Sequence, residues 1–151
     1  MLDLAPPDAA SWCDLGSGGG FPGLVVAILA AEKRPGLQVT LIEADQRKAA
    51  FLRTVLRETG VAAQVIDARI EETPPQSSDV VSARALAPLA ALVDLARRHL
   101  SPQGVCIFPK GARHAEEIAD ALELWRFDCE TVPSRTDEAA VILKISELSR
   151  A

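Results

Sequence analysis

The stretch Asp14-Leu-Gly-Ser-Gly-Gly-Gly-Phe-Pro-Gly23 decides how this chain is read. Five of the eight residues from Gly16 to Gly23 are glycine, more than a plain strand-to-helix turn needs. Before the stretch, Trp12 to Leu15 reads as a short strand. After it, Phe21 to Lys33 reads as a helix, with Pro22 tolerated in its first turn. Glycines placed there let the backbone turn sharply and approach a ligand without Cβ clashes. The position is the mouth of the sheet, where doubly wound folds bind nucleotides.

Outward from this loop, strand-like and helix-like segments alternate, the pattern of an α/β domain with a largely parallel sheet. Gln38 to Glu43 is β-branched and apolar, hence a second strand. Asp45 is placed to cap a helix from Gln46 to Thr59, and Gly60 to stop it. Ala49, Leu52, Val55 and Leu56 supply its buried stripe. Ala62 to Ile66 is a third strand, and 67–78, with Pro74-Pro75, reads mostly as loop. Asp79 to Ala83 is a fourth strand, and a helix marked by Leu89, Leu92, Val93 and Ala96 ends near Leu100. Val105 to Phe108 is a fifth strand. Ala115, Ile118, Ala119, Leu122 and Trp125 mark another helix. Two final strands, near Arg126 to Val132 and Ala139 to Ser146, are expected to pair as a hairpin.

The composition bounds the function. The chain has 151 residues, with 16 Lys plus Arg against 21 Asp plus Glu, hence a net charge of −5. With 48% hydrophobic and 25% charged residues it has enough apolar side chains for one globular core. The negative balance argues against a protein that coats nucleic acid by charge alone, so any nucleic-acid role needs a local basic patch. The longest apolar run, Phe21 to Ala31, holds a proline and a glycine and is too short to span a bilayer. The N-terminus shows no basic region before an apolar one, so no signal peptide is read and a cytoplasmic location is expected. Cys13, Cys106 and Cys129 are odd in number and set in apolar surroundings, as buried free thiols are. Neither His99 nor His114 stands at metal-ligand spacing from a cysteine, so no metal is expected.

Two nucleotides fit the loop. Gly18-x-Gly20-x-x-Gly23 matches the dinucleotide fingerprint and keeps a nicotinamide oxidoreductase in play. In the other frame Asp14 ends the strand and Gly16, Gly18 and Gly20 make the turn, the arrangement of methyltransferases that use S-adenosylmethionine (SAM). An acid beside the loop suits a ligand that carries an ammonium and a sulfonium. Glu43, 23 residues after Gly20, is placed to accept both hydroxyls of an adenosine ribose. After the third strand, Ile70 is placed to pack on an adenine and Glu71 or the backbone to meet its edge.

The motif at 14–23 resembles the glycine motif of the GidB, or RsmG, family of bacterial methyltransferases acting on guanine N7 of small-subunit ribosomal RNA. The likeness continues through Leu41 to Leu52, Ala68 to Glu71, Ser82 to Leu89 and Phe108-Pro-Lys-Gly111. It implies a Rossmann-like class I SAM-dependent methyltransferase fold, with a seven-stranded, mostly parallel sheet of order 3-2-1-4-5-7-6 and helices on both faces. It implies one domain over residues 1–151, lacking the helices that precede the first strand in the family. It also implies SAM contact at Gly16 and Phe21, an adenine border at Ile70 and Glu71, and an arginine, Arg84, near cofactor and target pocket. Lys110 matches a lysine on the same sheet edge, placed to meet RNA phosphate or the target base.

Guanine N7 has a free lone pair and carries no proton, so in-line methyl transfer to it requires no general base. None stands out: no nucleophile–base pair is visible, and neither histidine lies in a motif. Catalysis is then mostly positioning, and a turnover-dead module that only binds cofactor is the non-enzymatic alternative. For RNA, six cations lie between Lys33 and Arg57 against two acids, whereas three lie between Lys110 and Glu130 against six. Arg47, Lys48 and Arg84 are expected near the cofactor mouth, and Arg53 and Arg57 on a solvated helix face. The expected partner is small-subunit ribosomal RNA or the assembling 30S particle, met by a monomer.

Overall fold

In a computed structural model, the first strand's residues Trp12, Cys13, Asp14 and Leu15 are wholly enclosed. A strand buried on both faces reads as a continuous apolar run rather than an alternating one, and β1 (Ser11–Leu15) is the middle of the five parallel strands. The structure describes residues 1–84, 87–134 and 140–151. The elements that follow are α1 (Gly23–Lys33), β2 (Gln38–Ile42), α2 (Gln46–Thr59), β3 (Gln64–Ile66), β4 (Ser78–Ala83), α3 (Leu89–His99), β5 (Leu100–Lys110), α4 (His114–Leu122), β6 (Trp125–Pro133) and β7 (Val141–Arg150). Short 3-10 turns span Leu2–Leu4 and Ile70–Glu72.

The sheet runs β3-β2-β1-β4-β5-β7-β6, the expected order. Strands β1 to β5 pair in parallel, Asp14 lying opposite Leu41 on one side and Ser82 on the other. β7 enters antiparallel to β5, and β6 closes the edge as the expected hairpin. Two apolar layers follow from the alternation along β1. Trp12 packs with Leu24, Ala27, Leu41, Leu52 and Leu56 beneath α1 and α2. Cys13 and Leu15 pack with Leu89, Leu92, Phe108 and Trp125 on the α3 side. The chain leaves β1 for β2 on one flank and returns as β4 on the other. That switch of direction opens a crevice at the carboxyl ends of the strands.

The helix from Gln46 to Thr59 forms with the expected bounds. The Asp45 carboxylate accepts from the backbone N–H groups of Arg47 and Lys48, and Gly60 takes a left-handed φ of 69°. Elsewhere the bounds shift. α1 begins at Gly23, after Pro22, because the glycine turn uses up Phe21. Residues 70–72, read as loop, form a turn of 3-10 helix. Trp125, assigned to the helical stripe, instead opens β6: α4 stops at Leu122, and the indole is buried with Arg97 and Arg150 over its ring at 5.5 and 4.9 Å. A residue three past Leu122 fits a helical stripe and a new strand equally well, and only the packing decides. The expected strand start at Ala139 lies outside the described residues, and β7 runs on to Arg150.

Phe108 is fully enclosed on β5. Phe108→Ala should cost about 3–5 kcal/mol of unfolding free energy, read as a lower denaturant midpoint with an unchanged slope.

Candidate active site

The loop after β1 is shaped by one buried carboxylate. Asp14 accepts the Ser17 hydroxyl (2.8 Å) and the Gly23 N–H (3.2 Å) on Oδ2, and the Ser82 hydroxyl (2.7 Å) on Oδ1. Ser82 in turn accepts the Trp12 indole N–H at 2.7 Å. Burial pushes the Asp14 carboxyl up to about 6, with the charge of Glu43 adding to the rise, while the bonds from Ser82, Ser17 and Gly23 pull the other way. Gly23 cannot carry a side chain, because a Cβ there would run into this carboxylate. Gly20 has a φ of 104°, and a Cβ on it would meet Leu24 at 2.8 Å. The sequence reading had Asp14 facing a cationic ligand. The structure turns it inward, as the anchor of the loop, because all three donors come from the protein's own interior.

The acid at the end of β2 does border the loop. Glu43 accepts the Gly18 N–H (2.7 Å) on Oε1 and the Asp45 N–H (2.9 Å) on Oε2. Each oxygen keeps a further lone pair for a ligand hydroxyl. Beyond β3, the turn Ile70–Glu72 is gripped from α3. The His99 ring nitrogen Nε2 donates to the Ile70 carbonyl (2.9 Å) and Arg98 Nε donates to the Thr73 carbonyl (2.9 Å). The Thr73 hydroxyl closes the turn on the Arg69 carbonyl at 2.7 Å. His99 is fully enclosed, and burial lowers its pKa, as does the neighbouring Arg98 charge, against a smaller rise from the Ile70 bond. Sequence reasoning passed His99 over because it lies in no motif. Its signal was its place on the buried stripe of α3, one turn past Ala96 and two past Leu92.

These pieces enclose a cleft of about 560 Å³ lined by Gly16, Gly18, Glu43, Lys48, Ile70, Glu71 and Arg84. A second cleft, about 440 Å³, is lined by Phe21, Arg84, Lys110 and Glu117, so Arg84 belongs to both. The Arg84 guanidinium lies over the Phe21 ring, 4.9 Å from its centroid. Gly20, Phe21 and Arg47 do not line the first cleft. Gly20 shapes the turn, Phe21 stands on the second cleft, and Arg47 is exposed on the first turn of α2. Lys110, expected to meet RNA, is only 7% exposed: its ammonium donates to the Ala87 carbonyl (2.8 Å) and pairs with Glu117 (3.0 Å). Arg34, counted among the basic residues, clasps the carbonyls of Pro6, Pro7 and Ala9. Arg53 and Arg57 are exposed, as expected. The middle of the Arg84 motif, Ala85-Leu86, lies outside the described residues. Cys13 and Cys106 are free thiols pushed by burial to about 12, too high for nucleophilic use. Among the described residues no group of three or more His, Cys, Asp or Glu is placed to hold a metal.

A profile of the GidB family, described as rRNA small subunit methyltransferase G, matches residues 2–140. The chain belongs to the GidB family. It is 56% identical over 138 residues to the ribosomal RNA small subunit methyltransferase G of Cereibacter sphaeroides, covering 91% of this chain and 67% of that protein. To its namesake in a Ruegeria species it is 51% identical over 146 residues, 97% and 71% of the two chains. The fold is shared more widely. The TYW2 protein of M. jannaschii, solved with AdoMet, superposes with a TM-score of 0.70 at 14% identity, covering all of this chain and 73% of that one.

The GidB cleft fits the cofactor of such enzymes. Its floor is a loop in which side chains are sterically barred at Gly20 and Gly23, its β2 wall ends in the Glu43 carboxylate, and its far side is apolar at Ile70.

Two outcomes follow from Asp14. Its folded pKa of about 6 lies above the ordinary 3.8, so the folded state holds the extra proton. That contribution is complete below about pH 4 and is lost as pH rises through 6. The stability of the wild type relative to Asp14→Asn should therefore fall between pH 4 and pH 7, as measured by denaturant unfolding at each pH. Gly23→Ala should destabilise the fold by about 1–3 kcal/mol through overpacking and weaken SAM binding, checked by thermal unfolding and calorimetry.

Proposed function

We propose that this chain transfers the methyl group of SAM to N7 of a guanine in small-subunit ribosomal RNA. What carries the reading is the meeting of two clefts at one residue. The glycine loop, Glu43 and the Ile70 turn form one cleft, and at Arg84 it adjoins a second that has room for a base. When bound, SAM supplies an electrophilic methyl on a sulfonium. Glu43 accepts the ribose hydroxyls while its own bonds to Gly18 and Asp45 hold it in place. Ile70 packs on the adenine, on a turn held by His99 and Arg98, and Glu71 stands at its edge. Gly16 and Gly18 give the backbone close approach. Asp14 acts indirectly, by keeping the loop in shape.

No side chain has to take a proton from N7, and none in the clefts is offered as a general base. The work of the protein is alignment of the N7 lone pair with the methyl. Arg84 stands at the junction, stacked on Phe21, where the target base enters. Lys110 supports that side of the pocket from within, through its hold on Ala87 and Glu117. Arg47 and Lys48, exposed at the start of α2, are placed for RNA phosphates, with Lys33 and Arg57 as further exposed cations. Such a face docks on RNA locally, as a net charge of −5 requires. We place the reaction in the cytoplasm, on free RNA or the assembling small subunit, with the protein acting as a monomer. No helix among the described residues is long and apolar enough to cross a membrane.

The nicotinamide reading meets an electrostatic obstacle. In dinucleotide folds the N–H groups at the start of the first helix hold a pyrophosphate. Here the Gly23 N–H is taken by the Asp14 carboxylate, which would repel one.

Calorimetry should show SAM binding without NAD binding, and Glu43→Gln should weaken SAM roughly tenfold by loss of a charged acceptor. Tritiated methyl groups should enter small-subunit RNA and map to guanine N7. Binding of NAD with no label in RNA would overturn the assignment, and SAM binding with no label on RNA or 30S particles would favour the non-catalytic module.

A further inference from the structure

The second cleft contains a group that the methyl-transfer reading leaves unused. Glu117, on α4, puts a carboxylate on the wall of a cleft that must admit RNA. Its Oε1 accepts the Leu89 N–H (2.9 Å) and the Lys110 ammonium (3.0 Å), which holds the head group in place. Its Oε2 takes no hydrogen bond from the described residues, and the side chain is 23% exposed. A carboxylate repels phosphate, so its natural partner in this cleft is an uncharged hydrogen-bond donor.

The target base has such donors in the right place. Guanine carries O6 beside N7, and N1–H and the 2-amino group on the edge beyond. Adenine presents an unprotonated N1 on that edge and an amino group beside N7. With N7 turned to the first cleft, O6 would lie at the junction, where Arg84 lines both clefts and is a donor, and the N1/N2 edge would point into the second cleft. Phe21, 44% exposed, offers a flat face along the same wall.

We infer that Glu117 is a specificity-determining residue: its Oε2 accepts from N1–H and the 2-amino group of the target guanine while Arg84 meets O6, so that guanine is selected over adenine. The Lys110–Glu117 pair then fixes the acceptor's position, which explains why Lys110 is turned inward. This inference rests on the guanine-N7 reading above.

The test first maps the guanine that the wild-type chain methylates, then replaces that one base by inosine, which lacks only the 2-amino group, or by adenine. The wild type should show kcat/KM lower by roughly tenfold or more on inosine RNA, from loss of a bond to a charged group, and no methylation of adenine RNA. In Glu117→Gln the guanine-to-inosine ratio should shrink towards one, with SAM affinity unchanged. Glu117→Ala should do the same with a larger loss on guanine RNA. A wild-type ratio near one overturns the inference whether or not the variants fold. So does a full wild-type ratio in a Glu117→Gln protein that binds SAM normally. Failure of the wild type to methylate any guanine N7 instead defeats the underlying reading.

Discussion

The Asp14 carboxylate is the interaction on which the rest of the site depends. A charge removed from water costs several kcal/mol unless donors replace the solvent, and here two hydroxyls and a backbone N–H do so. Those donors come from the glycine loop, the first residue of α1 and the neighbouring strand β4. One side chain therefore ties the loop to the helix that follows it and to the centre of the sheet. The raised pKa records that the cost of burial outweighs the bonds its partners supply. With the Gly23 N–H consumed in this way, the start of α1 no longer offers an anion site, and the loop suits a cofactor without a pyrophosphate.

Around that anchor the remaining contacts grip the cleft from outside. Glu43 bridges Gly18 and Asp45, which ties the loop to the start of α2. The end of α3 holds the turn after β3 by two carbonyls. Lys110 and Glu117 hold the entry to α3 through the Ala87 carbonyl and the N–H of its first residue, Leu89. These are bonds from side chains to backbone, and they pin the segments that border the clefts. Pre-organisation of this kind is what a reaction without acid–base catalysis needs, since alignment is then the main source of rate.

The charge distribution reads differently once burial is known. Asp14 is enclosed, Glu43 nearly so, and Glu117 is paired through one oxygen with Lys110. Of the six cations between Lys33 and Arg57, Arg34 is committed to carbonyls of the N-terminal segment and Arg53 to the Val65 carbonyl. Arg47 and Lys48 stay exposed at the start of α2, Lys48 on the wall of the first cleft, while Arg69, Arg97, Arg98, Arg113, Arg126 and Arg150 are exposed elsewhere on the surface.

By itself the sequence determined the order of the elements, the place of the glycine turn, the capped helix from Gln46 to Thr59 and the family. Each of these rests on local chemistry: periodicity, a capping carboxylate, a residue without a Cβ. That Glu43, Ile70, Glu71 and Arg84 come together on one cleft was also legible, because strand ends in a parallel sheet converge on one edge. What only the tertiary structure decided was the direction in which polar groups face. Asp14 is turned inward by Ser82, 68 positions away, His99 is recruited by Ile70, 29 away, and Lys110 is claimed by Ala87, 23 away. A side chain's hydrogen-bonding capacity is written in its chemistry, but its partner is supplied by whichever distant group the fold brings within about 3 Å.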